Sequence, residues 1–287
     1  MFRLVAAFGS VVAVLVVSGA CSQSPTAPTP VADSITLFSV SQQPTSVPAV
    51  VIPPPYLPAN ALGATRFVAF GDSITCGVES AFDFLVPLPC PSGTYGYPER
   101  VQALLTAYNP AQSFTTTKRG YPGEWAQNGI NRLKTELAEL AAPSVPPGQR
   151  PDALLLLEGV NDMNNGVSAT RAAASLAEMA QVGRLYNLTV LVATMPQTWV
   201  TEDPNTGQTR QNSADKIVPF NTEVVRLLSG VQNVYIVDIY TAFGGASPNR
   251  SLIGGDGLHP TPAGYDVMAQ TFHAAIVARF PVRGSLQ

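Results

Sequence analysis

The chain has 287 residues, of which 46% are hydrophobic and 12% charged, with a formal net charge of -3. That apolar content is enough for one large core or two small ones and excludes a disordered chain. The acidic balance leaves no basic face to neutralise a phosphate backbone, so nucleic acid is not an expected partner.

In chain order, residues 1–20 read as an export signal: Arg3 supplies a short positive start, Leu4 to Val17 are almost wholly apolar, and Ser18-Gly19-Ala20 are small. The apolar run of roughly 14 residues falls short of the ~20 that cross a bilayer, so no permanent transmembrane anchor is expected. Cys21 follows the small residues directly and opens the polar run CSQSPTAPTP. It resembles the lipidated cysteine of bacterial lipoproteins, with Ser18 where those signals usually carry an aliphatic residue. Ser18-Gly19-Ala20 would also suit an ordinary signal peptidase; lipidation at Cys21 is the favoured reading. The chain is then an exported, cell-envelope protein that meets the membrane only through an N-terminal lipid anchor. Of the three cysteines, lipidation would leave the pair Cys76 and Cys90, which an oxidising compartment would tend to join.

Residues 21–64 are rich in Pro, Ser, Thr and Val, including PTAPTP and IPPPYLP. They show no helical or strand period and read as an extended linker. A single domain is expected over 65–287. There, short apolar runs alternate with amphipathic stretches: FVAF, a helix near 97–108, SFTTT, a helix near 125–141, ALLLLEG, a helix near 168–186, LTVLVATMP, a helix near 214–229, NVYIVDIY, and a helix near 262–280. Val101, Leu104, Leu105 and Tyr108 share one helix face, as do Met268, Phe272, Ala275 and Ile276. The run Ala153 to Leu157 has no period-2 alternation, which suits a strand buried on both faces of a parallel sheet. The predicted fold is a three-layer α/β/α domain around five parallel strands. In such a sheet ligands bind beyond the carboxyl ends of the strands, and Ser73, Asn161 and the segment after Tyr240 all follow a predicted strand.

Four blocks carry the chemistry: GDSIT at 71–75, RGYPGEW at 119–125, EGVND at 158–162 and DGLHP at 256–260. In order and spacing they resemble the GDSL family of esterases and lipases, in its SGNH hydrolase branch. The resemblance implies a flavodoxin-like sheet, Ser73 as nucleophile, His259 and Asp256 as its triad partners, and an oxyanion hole made by Ser73, Gly123 and Asn161. The family commonly has asparagine where this chain has Lys118.

The residues taken by themselves point the same way. A serine hydroxyl needs a base, and the chain has two histidines. His273 falls mid-helix, roughly 20 Å along the axis from His259, beside an apolar stripe, and is read as non-catalytic. His259 lies in a loop before a helix started by Thr261 and Pro262. Asp256, three residues earlier, can hold the imidazole tautomer that leaves Nε2 free. Asn161 and Gly123 offer N–H groups to an oxyanion, against plainer roles as turn residues. Asp72 and Asp162 are read as acceptors of backbone N–H bonds. Two histidines so far apart give no metal site, and no cofactor is expected.

The substrate is expected to be a small-molecule or glycan ester. Phe82, Phe84, Leu85, Val86 and Leu88, in the insertion from Gly77 to Gly96, could wall an acyl pocket or simply pack locally, and Trp125 and Trp199 lie in other strand-end loops. The expected activity is carboxylic ester hydrolysis. The alternatives are a carbohydrate O-deacetylase or acyltransferase with the same machinery, and a surface module that binds without catalysis.

Overall fold

The computed structural model describes residues 60–79, 90, 96–202, 209–210 and 213–282. The chain divides into two units, Met1–Ile52 and Pro53–Gln287. The signal, Cys21, most of the linker and the apolar insertion residues 82–88 lie outside the described residues.

Five strands form one parallel sheet in the order β2-β1-β3-β4-β7: β1 (Arg66–Gly71), β2 (Thr115–Gly120), β3 (Ala153–Leu157), β4 (Thr189–Ala193) and β7 (Val234–Val237). Two further short strands, β5 (Thr201–Glu202) and β6 (Thr209–Arg210), pair antiparallel apart from it. The chain folds this way because β1, β3 and β4 are apolar runs with nothing to offer water. All five residues of β3 are buried, as a strand covered on both faces requires. The covering layers are the helices α2 (Tyr97–Tyr108), α3 (Ala126–Leu140), α5 (Ala169–Leu185), α6 (Ile217–Leu228) and α8 (Pro262–Arg279).

Val101 and Leu105 of α2 are buried, and so are Met268, Phe272 and Ile276 of α8. The two helices meet where the Tyr97 and Phe272 rings stack with centroids 4.9 Å apart. The core therefore lies between sheet and helices on both sides, and it extends to the N-terminal approach. Ala61, Leu62 and Ala64 are buried, and Gly63 N–H donates to the Phe280 carbonyl at 2.8 Å. The residues just ahead of β1 thus pack with the domain, Leu62 bridging to Pro281 beside the end of α8.

Three short helices follow strand ends: α1 (Ser73–Cys76) after β1, α4 (Val160–Asn164) after β3 and α7 (Ile239–Ala242) after β7. The strand order runs outward in both directions from β1 and β3, which makes the carboxyl ends of those two strands the place where the connections diverge and a crevice opens. Around α1, the Tyr97 hydroxyl lies 3.2 Å from Thr75 Oγ1. The Tyr265 hydroxyl donates to the Val78 carbonyl at 2.6 Å. Both tyrosines are fully buried, so helices from the outer layer fix the turn that follows β1.

Cys76 and Cys90 form a disulfide with Cα atoms 5.4 Å apart. Its 14-residue separation closes a loop that contributes about 3 kcal/mol in the chain-entropy model. The denatured, unreduced protein is expected to show no titratable thiol from this pair, and Cys90→Ser to lower unfolding free energy by about that amount. Free thiols at both positions in mass mapping would contradict the linkage.

Candidate active site

At the end of β1 the chain turns sharply into α1. Asp72, not Ser73, caps that helix: its Oδ1 accepts the Ile74 N–H at 2.9 Å, the usual service of an aspartate at this position. The Ser73 hydroxyl is thereby left for something else. It lies 2.9 Å from His259 Nε2, and His259 Nδ1 lies 2.6 Å from Asp256 Oδ2. All three residues are buried, between 5% and 6% exposed, so bulk water does not compete for these bonds.

The loop carrying Asp256 and His259 precedes α8, which Thr261 caps by accepting the Gly264 N–H. Asp256 Oδ1 accepts the N–H groups of both Leu258 and His259 at 3.0 Å, so the carboxylate braces the loop with one oxygen and the imidazole with the other. Burial acts to raise the Asp256 carboxyl, but the His259 ring and the two N–H groups outweigh it and hold it below the usual range. Gly257 makes the bend: its φ is +73°, and a Cβ there would come within 2.4 Å of the Trp199 carbonyl. That contact ties in the segment before β5, since Trp199 N–H donates to the Gly257 carbonyl at 3.1 Å and Thr201 Oγ1 to the Asp256 carbonyl at 3.0 Å.

Opposite this loop, the connection after β2 makes a turn through Tyr121, Pro122, Gly123 and Glu124, closed by Glu124 N–H to the Tyr121 carbonyl at 3.1 Å. Gly123 occupies the position of positive φ, +78°, as a turn with proline before it asks. Asn161, in the first turn of α4, donates from Nδ2 to the Glu124 carbonyl at 2.9 Å and lies 3.4 Å from Asp72 Oδ2. Asp162 Oδ2 accepts the Ala126 N–H at 2.7 Å. The site thus brings Ser73, His259 and Asp256 into one hydrogen-bonded chain, and joins Asn161 to the turn that carries Gly123.

Other residues singled out in the sequence lie elsewhere. Lys118 pairs with Glu99 of α2 at 2.5 Å. His273 sits in α8 with its ring 5.5 Å from that of Tyr108, and partial burial lowers its pKa. Trp125 occupies the position just before α3, with no side-chain bond to the helix start. Trp199 stands at the rim with the Arg250 guanidinium 5.1 Å over its ring. Among the described residues no group of three or more His, Cys, Asp or Glu is placed to hold a metal ion.

Sequence reasoning missed a buried acidic cluster beneath the site. Glu158 is fully buried, and among the described residues neither of its carboxyl oxygens meets a hydrogen-bond partner. Burial first, then the Asp72 and Glu124 carboxylates, raise it well above the usual range, with Arg132 opposing. Asp72 is likewise pushed up by burial, against the Ile74 N–H and His259, to about 7. A raised carboxyl favours the folded state while it holds its proton. Its stabilisation is complete below about pH 4, where the unfolded group is also protonated, and is lost as pH rises through about 7. Asp72→Asn, which keeps a capping oxygen, is therefore expected to show a flatter decline of unfolding free energy between pH 4 and 8 than the wild type. Parallel urea-denaturation curves across that range would count against it.

A model of the GDSL-like lipase/acylhydrolase family matches residues 69–267. None of the curated proteins resembles the chain at a significant level. Among solved structures, a lipase/acylhydrolase from Enterococcus faecalis is 20% identical with a TM-score of 0.55, covering 77% of this chain and 100% of its own. A member of the lipolytic G-D-S-L family from Veillonella parvula is 20% identical, with a TM-score of 0.54 and coverage of 76% and 100%. A carbohydrate acetylesterase family member from Sinorhizobium meliloti is 14% identical, with a TM-score of 0.55 and coverage of 74% and 97%.

Proposed function

The chain belongs to the GDSL-like lipase/acylhydrolase family, and from that premise we propose that it is a serine hydrolase cleaving carboxylic esters through an acyl-Ser73 intermediate. The observation that supports this mechanism is the chain of hydrogen bonds from Ser73 Oγ to His259 to Asp256, at 2.9 and 2.6 Å.

In this reading His259 Nε2 takes the hydroxyl proton as Ser73 Oγ forms a bond to the carbonyl carbon, and the carbonyl electron pair moves onto its oxygen. The oxyanion is met by the N–H groups of Ser73 and Gly123 and by the Asn161 amide, which strengthen as charge develops. The C–O bond to the alcohol then breaks and the alcohol leaves with the proton from His259. Water attacks the acyl carbon and gives its proton to His259; the bond from that carbon to Ser73 Oγ then breaks, Oγ takes the proton back from His259, and the acid leaves. Asp256 stays ionised and holds Nδ1–H throughout.

The test is covalent labelling by a fluorophosphonate with the adduct mapped by mass spectrometry. A single adduct on Ser73 is expected; no adduct, or one elsewhere, overturns the assignment and favours a binding module. A carbohydrate acetylesterase among the structural neighbours favours a glycan O-acetyl ester as a second reading of the substrate. Turnover of acetylated polysaccharide against p-nitrophenyl esters of increasing chain length separates the two. The N-terminal sequence further supports an exported enzyme lipidated at Cys21, which predicts fatty-acid incorporation that Cys21→Ser abolishes.

A further inference from the structure

Arg132 lies in the middle of α3, turned under the site. Its Nε lies 2.9 Å from both carboxyl oxygens of Glu124, and Nη2 also donates to Glu124. Nη2 reaches the Gly71 carbonyl at 3.1 Å, Nη1 reaches the Arg119 carbonyl at 3.2 Å and Glu136 Oε1 at 2.9 Å. The guanidinium stacks 3.7 Å over the Phe70 ring. One side chain thus joins the end of β1, the end of β2 and the turn bearing Gly123. Only a planar fork with five donors does this; a lysine's point charge does not.

Glu124 is the other half. Its side chain is 7% exposed and held by Arg132, its N–H closes the Gly123 turn, and its carbonyl accepts the Asn161 amide. The peptide that leads out of Gly123 and the amide of Asn161 are therefore referenced to a single residue. That residue is referenced in turn to the carbonyl two positions before Ser73.

We infer that the Glu124–Arg132 pair is a positioning unit that sets two of the three oxyanion donors of the proposed site, Gly123 and Asn161, relative to the nucleophile. The inference rests on the hydrolase reading above. It predicts an effect felt in the transition state, where charge develops on the oxyanion: a donor misplaced by about 1 Å costs on the order of 10²-fold in rate.

The test compares Glu124→Gln with Glu136→Gln, which removes a different Arg132 partner and leaves the turn alone. In Glu124→Gln, kcat should fall on the order of 10- to 100-fold with KM little changed. Affinity for a trifluoromethyl ketone, whose hemiketal oxygen takes the oxyanion's place, should weaken by the same factor. In Glu136→Gln both should stay at the wild-type level, even where the melting temperature falls as far. Should Glu124→Gln not fold, Arg132→Lys carries the same measurements, with the same losses expected. If the folded variants lose stability alike and keep kcat and ketone affinity, the positioning role is refuted while hydrolysis stands. If the wild type neither turns over esters nor binds the ketone, the hydrolase reading falls and takes this inference with it.

Discussion

Ser73→Ala is expected to lower kcat toward p-nitrophenyl acetate by about 10⁴- to 10⁶-fold, His259→Ala to do the same, and the double variant to lose little more. In the proposed mechanism the two residues act in one proton transfer: without the imidazole the hydroxyl is not activated, and without the hydroxyl the imidazole has no proton to take. The melting temperature should stay close to that of the wild type. Capping of α1 belongs to Asp72, so removing the Ser73 hydroxyl takes away its bond to His259 and no backbone support. A Ser73→Ala protein that retains its turnover would end the hydrolase reading. So would losses that multiply in the double variant.

Asp256→Asn is expected to cost about 10⁴-fold in kcat, although it changes one atom. Oδ1 accepts two backbone N–H groups and Oδ2 faces His259 Nδ1. An asparagine must put its oxygen on one side and its NH₂ on the other. With NH₂ toward Leu258 and His259, two backbone donors would confront a donor. The favoured orientation sends NH₂ toward Nδ1, which must then accept and carry no hydrogen. The ring proton moves to Nε2, the atom that has to take the proton from Ser73, and catalysis stops for want of an acceptor. The fold should survive, because Oδ1's role as a brace is kept by the amide oxygen. Turnover within tenfold of the wild type would show that Asp256 does not orient the imidazole.

Much of this was legible in the sequence because it is local. A buried parallel strand is apolar throughout, and Ala153–Leu157 says so without reference to anything else. Asp256 and His259 are three residues apart, so their pairing is a matter of one turn. Thr261 before Pro262 marks a helix start that α8 uses. What could not be read is what tertiary packing decides. β2 runs Thr115–Gly120 where the apolar signal pointed to 113–117: it is an edge strand with only its last residue buried, so its limits come from pairing with β1. The helices α1, α4 and α7 have four or five residues, too few for a 3.6-residue period. Arg132 and Glu124 are eight residues apart on opposite sides of a helix start, and nothing in their spacing tells that the guanidinium turns inward. Glu158 reads as a polar residue ending a strand, and its full burial depends on the chain packed over it.

The place of β1 in the sheet has a consequence for the order of events on the ribosome. β1 pairs on one side with residues from 115 and on the other with residues from 153, and His259 lies 186 positions beyond Ser73. At about 5–20 residues per second, synthesis carries Ser73 for roughly 10–40 s before His259 exists. The strand that presents Ser73 has to wait for both neighbours before its apolar residues are covered. Long-range parallel pairing of this kind is slow to form, and the exposed interval belongs to the segment that leads into Ser73. On the proposed mechanism a growing chain is therefore chemically silent until α8 is being made, and until then it depends on whatever shields Phe67 to Phe70 from other chains.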